Sequence, residues 1–178
     1  MKLYHTSKVE IQNPDIHRGR KNADFGPGFY LTPDKEFACR WAGKDSVINV
    51  YELDTGDLDI HSFKRDHDWF RYIFANRNAD DRVKADIVIG PIANDTIYDT
   101  LGILTSGLIS DEDALKLLMI GPEYTQVAIK SEKAIRRLKW IGLEDHVDSE
   151  KFSALLKKEQ EDYRKLFDAA IERIADEM

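Results

Sequence analysis

Three segments carry side chains whose types and spacing suit chemistry. In Leu3-Tyr4-His5-Thr6-Ser7 the alternation of a strand puts Leu3, His5 and Ser7 on one face and Tyr4 and Thr6 on the other. Alone, His5 reads as a core or edge residue. In Phe25-Gly26-Pro27-Gly28-Phe29-Tyr30-Leu31-Thr32-Pro33 two glycines free the backbone at a turn, an aromatic strand follows, and a capped helix follows that. Such a turn lets a planar ligand approach the main chain closely. Singly, Gly26 and Gly28 read as a tight hairpin entry and Tyr30 as a buried ring with a satisfied hydroxyl; their combination favours a site. In Tyr124-Thr125-Gln126-Val127-Ala128-Ile129-Lys130 the Gln126 amide lies opposite Thr125 and Val127, and in an apolar strand it needs a hydrogen-bond partner or water. Glu123 stands at the entrance of that strand, beside Gly121-Pro122.

Other polar residues have two readings each. Asn94 or Asp95, after the strand Asp86 to Ile89 and the stop at Gly90-Pro91, caps a short helix or contacts substrate. Arg77, at the end of a predicted helix, faces carbonyls or reaches a pyrophosphate. Arg18, Arg20 and Lys21 make a basic patch on a long loop that is either solvated or touches a pyrophosphate or a target. No metal site is expected, because His17, His61, His67 and His146 are dispersed and Cys39 is the only cysteine. His61 and His67 are expected at the surface, and Cys39 semi-buried on a helix.

These residues must be positioned by a chain of 178 residues and 20.5 kDa, which suits one domain with an appendage. Strands are predicted over Lys2 to Thr6, Gly28 to Thr32, Val47 to Leu53, Ala85 to Ile89 and Tyr124 to Lys130, with short ones at Leu58 to Ile60 and Leu138 to Ile141. Helices are predicted from Thr32-Pro33-Asp34 through Ala42, with proline in the first turn, and over Asp66 to Asn76 and Asp111 to Met119. No regular βαβ alternation and no repeat appears, so the fold class is α+β. From Asp148 to Met178 a single amphipathic helix sets Phe152, Leu156, Tyr163, Phe167, Ala170 and Ile174 on one face. Glu144 onward holds 11 acidic and 6 basic residues of the 33 and 26 in the chain, so this tail carries most of the net charge of -7. It is expected to dock on its own sheet with an acidic solvated face, or to offer a surface to a partner protein. The chain divides into residues 1–143 and the helical 144–178.

The pI near 5.3 gives no electrostatic support to nucleic-acid binding. One cysteine and no signal-like h-region predict a cytoplasmic protein, and charges every few residues predict that none of it enters a membrane.

Leu-Tyr-His-x-Ser, then Phe-Gly-x-Gly-Phe-Tyr-Leu-Thr entering a helix, then a late strand with Gln or Glu, resembles the ADP-ribosyltransferase superfamily in its diphtheria-toxin-like, His-Tyr-Glu branch. More narrowly, Gly-Phe-Tyr-Leu-Thr-x-Asp-Lys-Glu-x-Ala, Asp-Ile-Val-Ile-Gly-Pro-Ile-Ala-Asn-Asp and Ser-Glu-Lys-Ala resemble a bacterial family of unknown function assigned to that superfamily, over residues 2–142. The resemblance implies two split β-sheets with NAD as co-substrate in the cleft between them, and no metal. It implies that His5 bonds the adenosine ribose, that Tyr30 stacks on nicotinamide, and that the Thr6 backbone meets the carboxamide. Gly28 and Arg18 are carried with them as NAD-binding residues. The third position, which holds the nicotinamide ribose, falls on Gln126 by its offset from Ser131-Glu132-Lys133-Ala134, with Glu123 as the alternative.

Three positions depart from the pattern: Gln126 cannot accept a proton, Thr6 replaces a common glycine, and Ala38 replaces a common serine. The implied activity is mono-ADP-ribosyl transfer from NAD to a macromolecular acceptor, protein or nucleic acid. It is the chemistry of a bacterial toxin, with a cognate antitoxin or regulatory protein as partner. The alternative is a catalytically degenerate module that binds NAD or a protein.

Overall fold

The computed structural model describes residues 1–43, 45–93, 109–144 and 149–176. Asn94, Asp95 and His146 lie outside them. Among the described residues, seven strands form two sheets and five α-helices surround them, giving a mixed α+β fold.

The first sheet has the order β1 (Lys2–Ser7), β3 (Val47–Leu53), β7 (Leu138–Leu143), all antiparallel. The second has the order β2 (Phe29–Leu31), β6 (Thr125–Ile129), β5 (Ile87–Pro91), β4 (Ile60–Ser62), with only β4 and β5 parallel. Period-two alternation gives each sheet two apolar faces. Leu3, Tyr51 and Leu53 of the first sheet meet Phe29, Ile87, Val127 and Ile129 of the second in a shared core. On the opposite faces, Tyr4, Ile48 and Val50 pack against Ala38, Cys39 and Ala42, and Val88 and Ala128 pack against Trp69, Phe70 and Ile73. The helices doing this backing are α1 (Lys35–Arg40) and α2 (His67–Arg77). The sheets join at one point, where Tyr4 and Thr32 exchange backbone hydrogen bonds of 2.8 and 2.9 Å. That bridge is isolated, and past it the His5 side chain, not the β1 backbone, meets the Tyr30 carbonyl.

Several elements differ from expectation for local reasons. Proline is not in the first turn of α1: Pro33 precedes the cap, and the Asp34 carboxylate takes the Phe37 N–H at 3.1 Å. Thr32 is spent elsewhere, its hydroxyl donating to the Thr125 carbonyl at 2.8 Å. The short strand predicted at Leu58 to Ile60 falls instead at Ile60–Ser62, and the one at Leu138 to Ile141 is a full sheet member running to Leu143. The helices α2, α3 (Asp111–Leu118) and α4 (Glu132–Ile135) start after the side-chain caps Asp66, Ser110 and Ser131.

The C-terminal helix α5 (Ser149–Asp176) docks mainly on α1 and α3, and its Phe152 also packs against the cluster that holds Tyr4, Ile48 and Val50 of the first sheet. Its inward residues are those with the helical spacing, Phe152, Leu156, Tyr163 and Phe167, of which Phe167 is buried. Glu159 joins this face as well. It accepts a hydrogen bond from the Tyr124 hydroxyl at 2.5 Å and pairs with Arg40, which ties α5 to α1 and the start of β6. The solvated side is not acidic: Ser149–Asp176 has 7 acidic and 6 basic residues, and the excess acid of the tail lies outside the helix.

Candidate functional site

Beside the bridge of Tyr4 and Thr32, a pocket of about 430 Å³ opens between the sheets, within the size range of small-molecule sites. Four pieces of chain wall it. Tyr4, His5 and Thr6 come from β1, Tyr30, Leu31 and Thr32 from β2 and its end, Gln126 from β6, and Phe37, Ala38 and Trp41 from α1 and its C-cap. The loop from Arg20 to Asp24, with Arg77 and Ile92-Ala93, closes the far side.

His5 is oriented by its Nδ1, 2.7 Å from the Tyr30 carbonyl, and by the Phe29 ring at a centroid distance of 4.5 Å. A carbonyl oxygen only accepts, so Nδ1 carries the proton and Nε2 holds a lone pair. Burial pushes the imidazole pKa below its ordinary 6.5, opposed in part by that hydrogen bond, so the ring is neutral at pH 7.

Tyr30 is held by its hydroxyl, which donates to the Gly26 carbonyl at 2.5 Å and accepts from the Phe25 N–H at 3.1 Å. Burial drives the phenol pKa far above its ordinary value, so it remains a neutral donor at any working pH. The hydroxyl is thus occupied, and the ring is what a ligand can use. The turn needs its glycines. Gly26 has φ +75°, and a Cβ there would lie 2.9 Å from both Asn76 Oδ1 and Asp81 Oδ2. A Cβ on Gly28 would lie 2.7 Å from the Ile129 carbonyl oxygen.

Behind that turn sits a cluster with no signal in the sequence. Lys130, its side chain only 6% exposed, donates to Asp81 at 2.5 Å, to the Tyr72 hydroxyl at 3.0 Å and to the Phe25 carbonyl. Asn76 donates to the Asp24 carbonyl at 3.1 Å. The peptide that grips the Tyr30 hydroxyl is therefore itself gripped from α2 and the end of β6.

Gln126 projects into the pocket with its Oε1 buried and without a hydrogen-bond partner. A buried amide oxygen left unmatched costs about 1–3 kcal/mol, so a ligand that donates to it has that much to recover. Glu123, the alternative for this position, is exposed and not part of the pocket wall. Asp24 is the one carboxylate among the described lining residues, and it is engaged: Arg77 binds Oδ1 at 2.5 Å, and the Ala93 N–H binds Oδ2 at 2.9 Å.

The two departures from the motif pattern on this wall touch each other, for the Thr6 hydroxyl donates to the Ala38 carbonyl at 2.6 Å. Arg18 is corrected by the structure. It reaches Asp15 at 3.4 Å within a solvent-facing turn and does not line the pocket, whereas Arg20 does. Gly28 likewise serves chain packing and is absent from the pocket wall. So His5, Thr6, Tyr30 and Gln126 are brought together, and Arg18 and Gly28 are not. The profile of a family described as "Protein of unknown function (DUF3990)" matches residues 1–140.

The chain belongs to that family.

The matched part of this DUF3990 protein contains every pocket residue named above and ends within β7, and α5 lies beyond it. The family description names no activity, and no curated protein matches the chain. Among the described residues, no cluster of three or more His, Cys, Asp or Glu could hold a metal, and no helix is long and apolar enough to cross a membrane.

Proposed function

We propose that this protein has the ADP-ribosyltransferase fold and is an NAD-dependent mono-ADP-ribosyltransferase of the His-Tyr-Gln kind. The observation that carries the reading is the convergence of His5, Tyr30 and Gln126, from three strands far apart in sequence, on one pocket with an unmatched polar atom at Gln126. A flat nicotinamide ring suits the fixed face of Tyr30, and ribose hydroxyls are the donors that Gln126 Oε1 and His5 Nε2 lack. Arg20, with no ion pair to any described residue, replaces Arg18 as the cation for the diphosphate. NAD supplies an activated C–N bond: nicotinamide leaves with the bonding pair, and an acceptor nucleophile supplies the new one. The chain's part is to hold the ring and both riboses rigidly while charge develops on the sugar. Gln126 contributes an oriented dipole and takes no proton, so a base from the acceptor or its partner must do so.

A second reading is a binding module that holds NAD or a protein without turnover. It is favoured by the absence of a disengaged carboxylate among the described lining residues. The test is release of nicotinamide from NAD in the presence of a cell extract, with retention of label in protein or nucleic acid. Wild-type release that falls at least about tenfold in Tyr30→Ala and Gln126→Ala supports the transferase, given donor-loss effects of several kcal/mol at such sites. Binding without release supports the NAD-holding module, and neither binding nor release rejects both NAD readings and leaves only a protein-binding module. A toxin role belongs to the same proposal, with a cognate antitoxin as partner and a cytoplasmic target. Co-purification of a small neutralising protein would support it, and toxicity that no neighbouring protein alters would count against it.

A further inference from the structure

A second cavity, of about 450 Å³, shares Phe37, Trp41, Ile92 and Ala93 with the pocket described above and is walled on its other side by α5. We infer that it is the docking site for an arginine side chain of a partner protein. The identity of that partner rests on the transferase reading above, which makes it the ADP-ribose acceptor.

The chain itself shows how this wall holds a guanidinium. The Phe37 and Tyr124 rings stack at a centroid distance of 4.3 Å, the Arg40 guanidinium lies 5.4 Å from the Tyr124 ring centre, and the same group pairs with Glu159 of α5. Tyr124 and Glu159 both line the cavity, so a flat cation between a ring and a carboxylate is already in place once at its edge. The same two parts recur in the wall, where no described cation uses them. Trp41, at the C-cap of α1, is 51% exposed and meets Phe37 at 6.0 Å with the ring planes 80° apart. Asp168 lines the cavity from α5, is exposed, and forms no ion pair with a described residue.

Indole is the strongest of the aromatic platforms for a cation, and a guanidinium can lie flat on it while its N–H fork bonds a carboxylate. A lysine brings only a point charge. A nucleobase would also stack, but it comes on a polyanion, and the chain has a net charge of -7. Arg164, one turn before Asp168, is the one cation among the described lining residues and works against the guest. The guest arginine is an anchor and not the nucleophile: a guanidinium keeps its proton in proteins, and Gln126 cannot take one. The modified group is therefore a neighbouring residue of the same partner, reaching past Trp41 into the first pocket. Asp168 and the rest of α5 lie beyond the family match over residues 1–140, so this recognition belongs to the chain's own C-terminal helix.

The test is an NMR titration of the full chain, at about 0.15 M salt, with a short capped peptide holding one arginine, with its lysine and citrulline counterparts, and with a single-stranded oligonucleotide. The arginine peptide should bind and shift the Trp41 indole resonance. The lysine peptide should bind about fivefold or more weakly, for want of a flat face, and the citrulline peptide likewise, for want of a charge. Trp41→Leu should weaken the arginine peptide about 5- to 30-fold, Asp168→Asn about two- to fivefold, and Arg164→Ala should strengthen it. Melting temperature reports whether Trp41→Leu folds, and the exposed Asp168 gives a variant that does not disturb the core. No binding of the arginine peptide, tighter binding of the oligonucleotide, or affinity that Trp41→Leu and Asp168→Asn both leave intact overturns the inference. NAD titrated into the same samples separates the two readings: NAD binding without peptide binding sinks the docking site alone, and peptide binding without NAD binding supports the docking site and sinks the transferase reading.

Discussion

Two groups of buried polar side chains lie on either side of the Phe25-Gly26 turn, and they differ in how completely they are bonded. Behind the turn, Lys130, Asp81, Tyr72 and the Phe25 carbonyl saturate one another. In front of it, His5 Nε2 and Gln126 Oε1 are left without protein partners among the described residues. The saturated group has nothing to offer a ligand and everything to contribute to rigidity. The unsaturated group gains hydrogen bonds only when something else arrives. Unmatched buried atoms also occur away from this wall, at Arg40 Nε, Arg65 Nε and Asn76 Oδ1, so what distinguishes Gln126 Oε1 is the cavity its side chain lines.

The comparison can be broken most severely at the saturated side. Lys130→Met leaves the Asp81 carboxylate and the Phe25 carbonyl without their buried donor, and it should cost about 3–5 kcal/mol in denaturant unfolding. Removing both charges in Lys130→Met with Asp81→Leu should recover part of that loss, because the penalty comes mainly from the stranded charge. A cost below about 0.5 kcal/mol for the single variant would show that the cluster does not hold the turn, since that is the scale of ordinary surface changes. Phe167→Ala, which empties the buried anchor of α5, should cost about 3 kcal/mol at the low end of such truncations.

The unsaturated side predicts the opposite signs. Gln126→Leu removes an unmatched oxygen, so stability should stay within about 1 kcal/mol of wild type or rise, while NAD affinity falls about tenfold. A large loss of stability would mean that the amide is structural. Gln126→Glu, by adding a proton acceptor, should raise nicotinamide release by about tenfold or more, and Glu123→Ala should leave release unchanged.

The smallest effect is the pH dependence of folding. The folded-state pKa of His5 lies below its unfolded value of 6.5, so below that value the unfolded chain binds more protons. The stability from burying the neutral ring is present above pH 6.5 and is lost as pH falls through the folded pKa. His5→Gln should remove this component from a pH series of unfolding curves.

Much of the local structure was legible because it depends on neighbours in sequence. Val47–Leu53 reads as a strand from its β-branched and aromatic run, and the face Phe152, Leu156, Tyr163 and Phe167 reads as helical from its spacing. The cap at Asp34 was displaced by two residues from the expected hydroxyl, because Thr32 is recruited by the Thr125 carbonyl, 93 positions away. Similarly, Arg18 and Arg20 are indistinguishable as basic loop residues. Which of them faces the pocket depends on how the loop folds back over β2.

By itself, then, the amino-acid order determined which long stretches extend or coil and that His5, Tyr30 and Gln126 sit on strands. Those features follow from backbone sterics and from periodicity over a few residues. Only the tertiary structure decided that the three strands, from two sheets, line one pocket, that Nδ1 of His5 spends its proton on a carbonyl 25 positions away, and that Lys130 is buried to hold the turn. Hydrogen bonds and desolvation act through space, and no local pattern encodes which distant carbonyl a buried donor will meet.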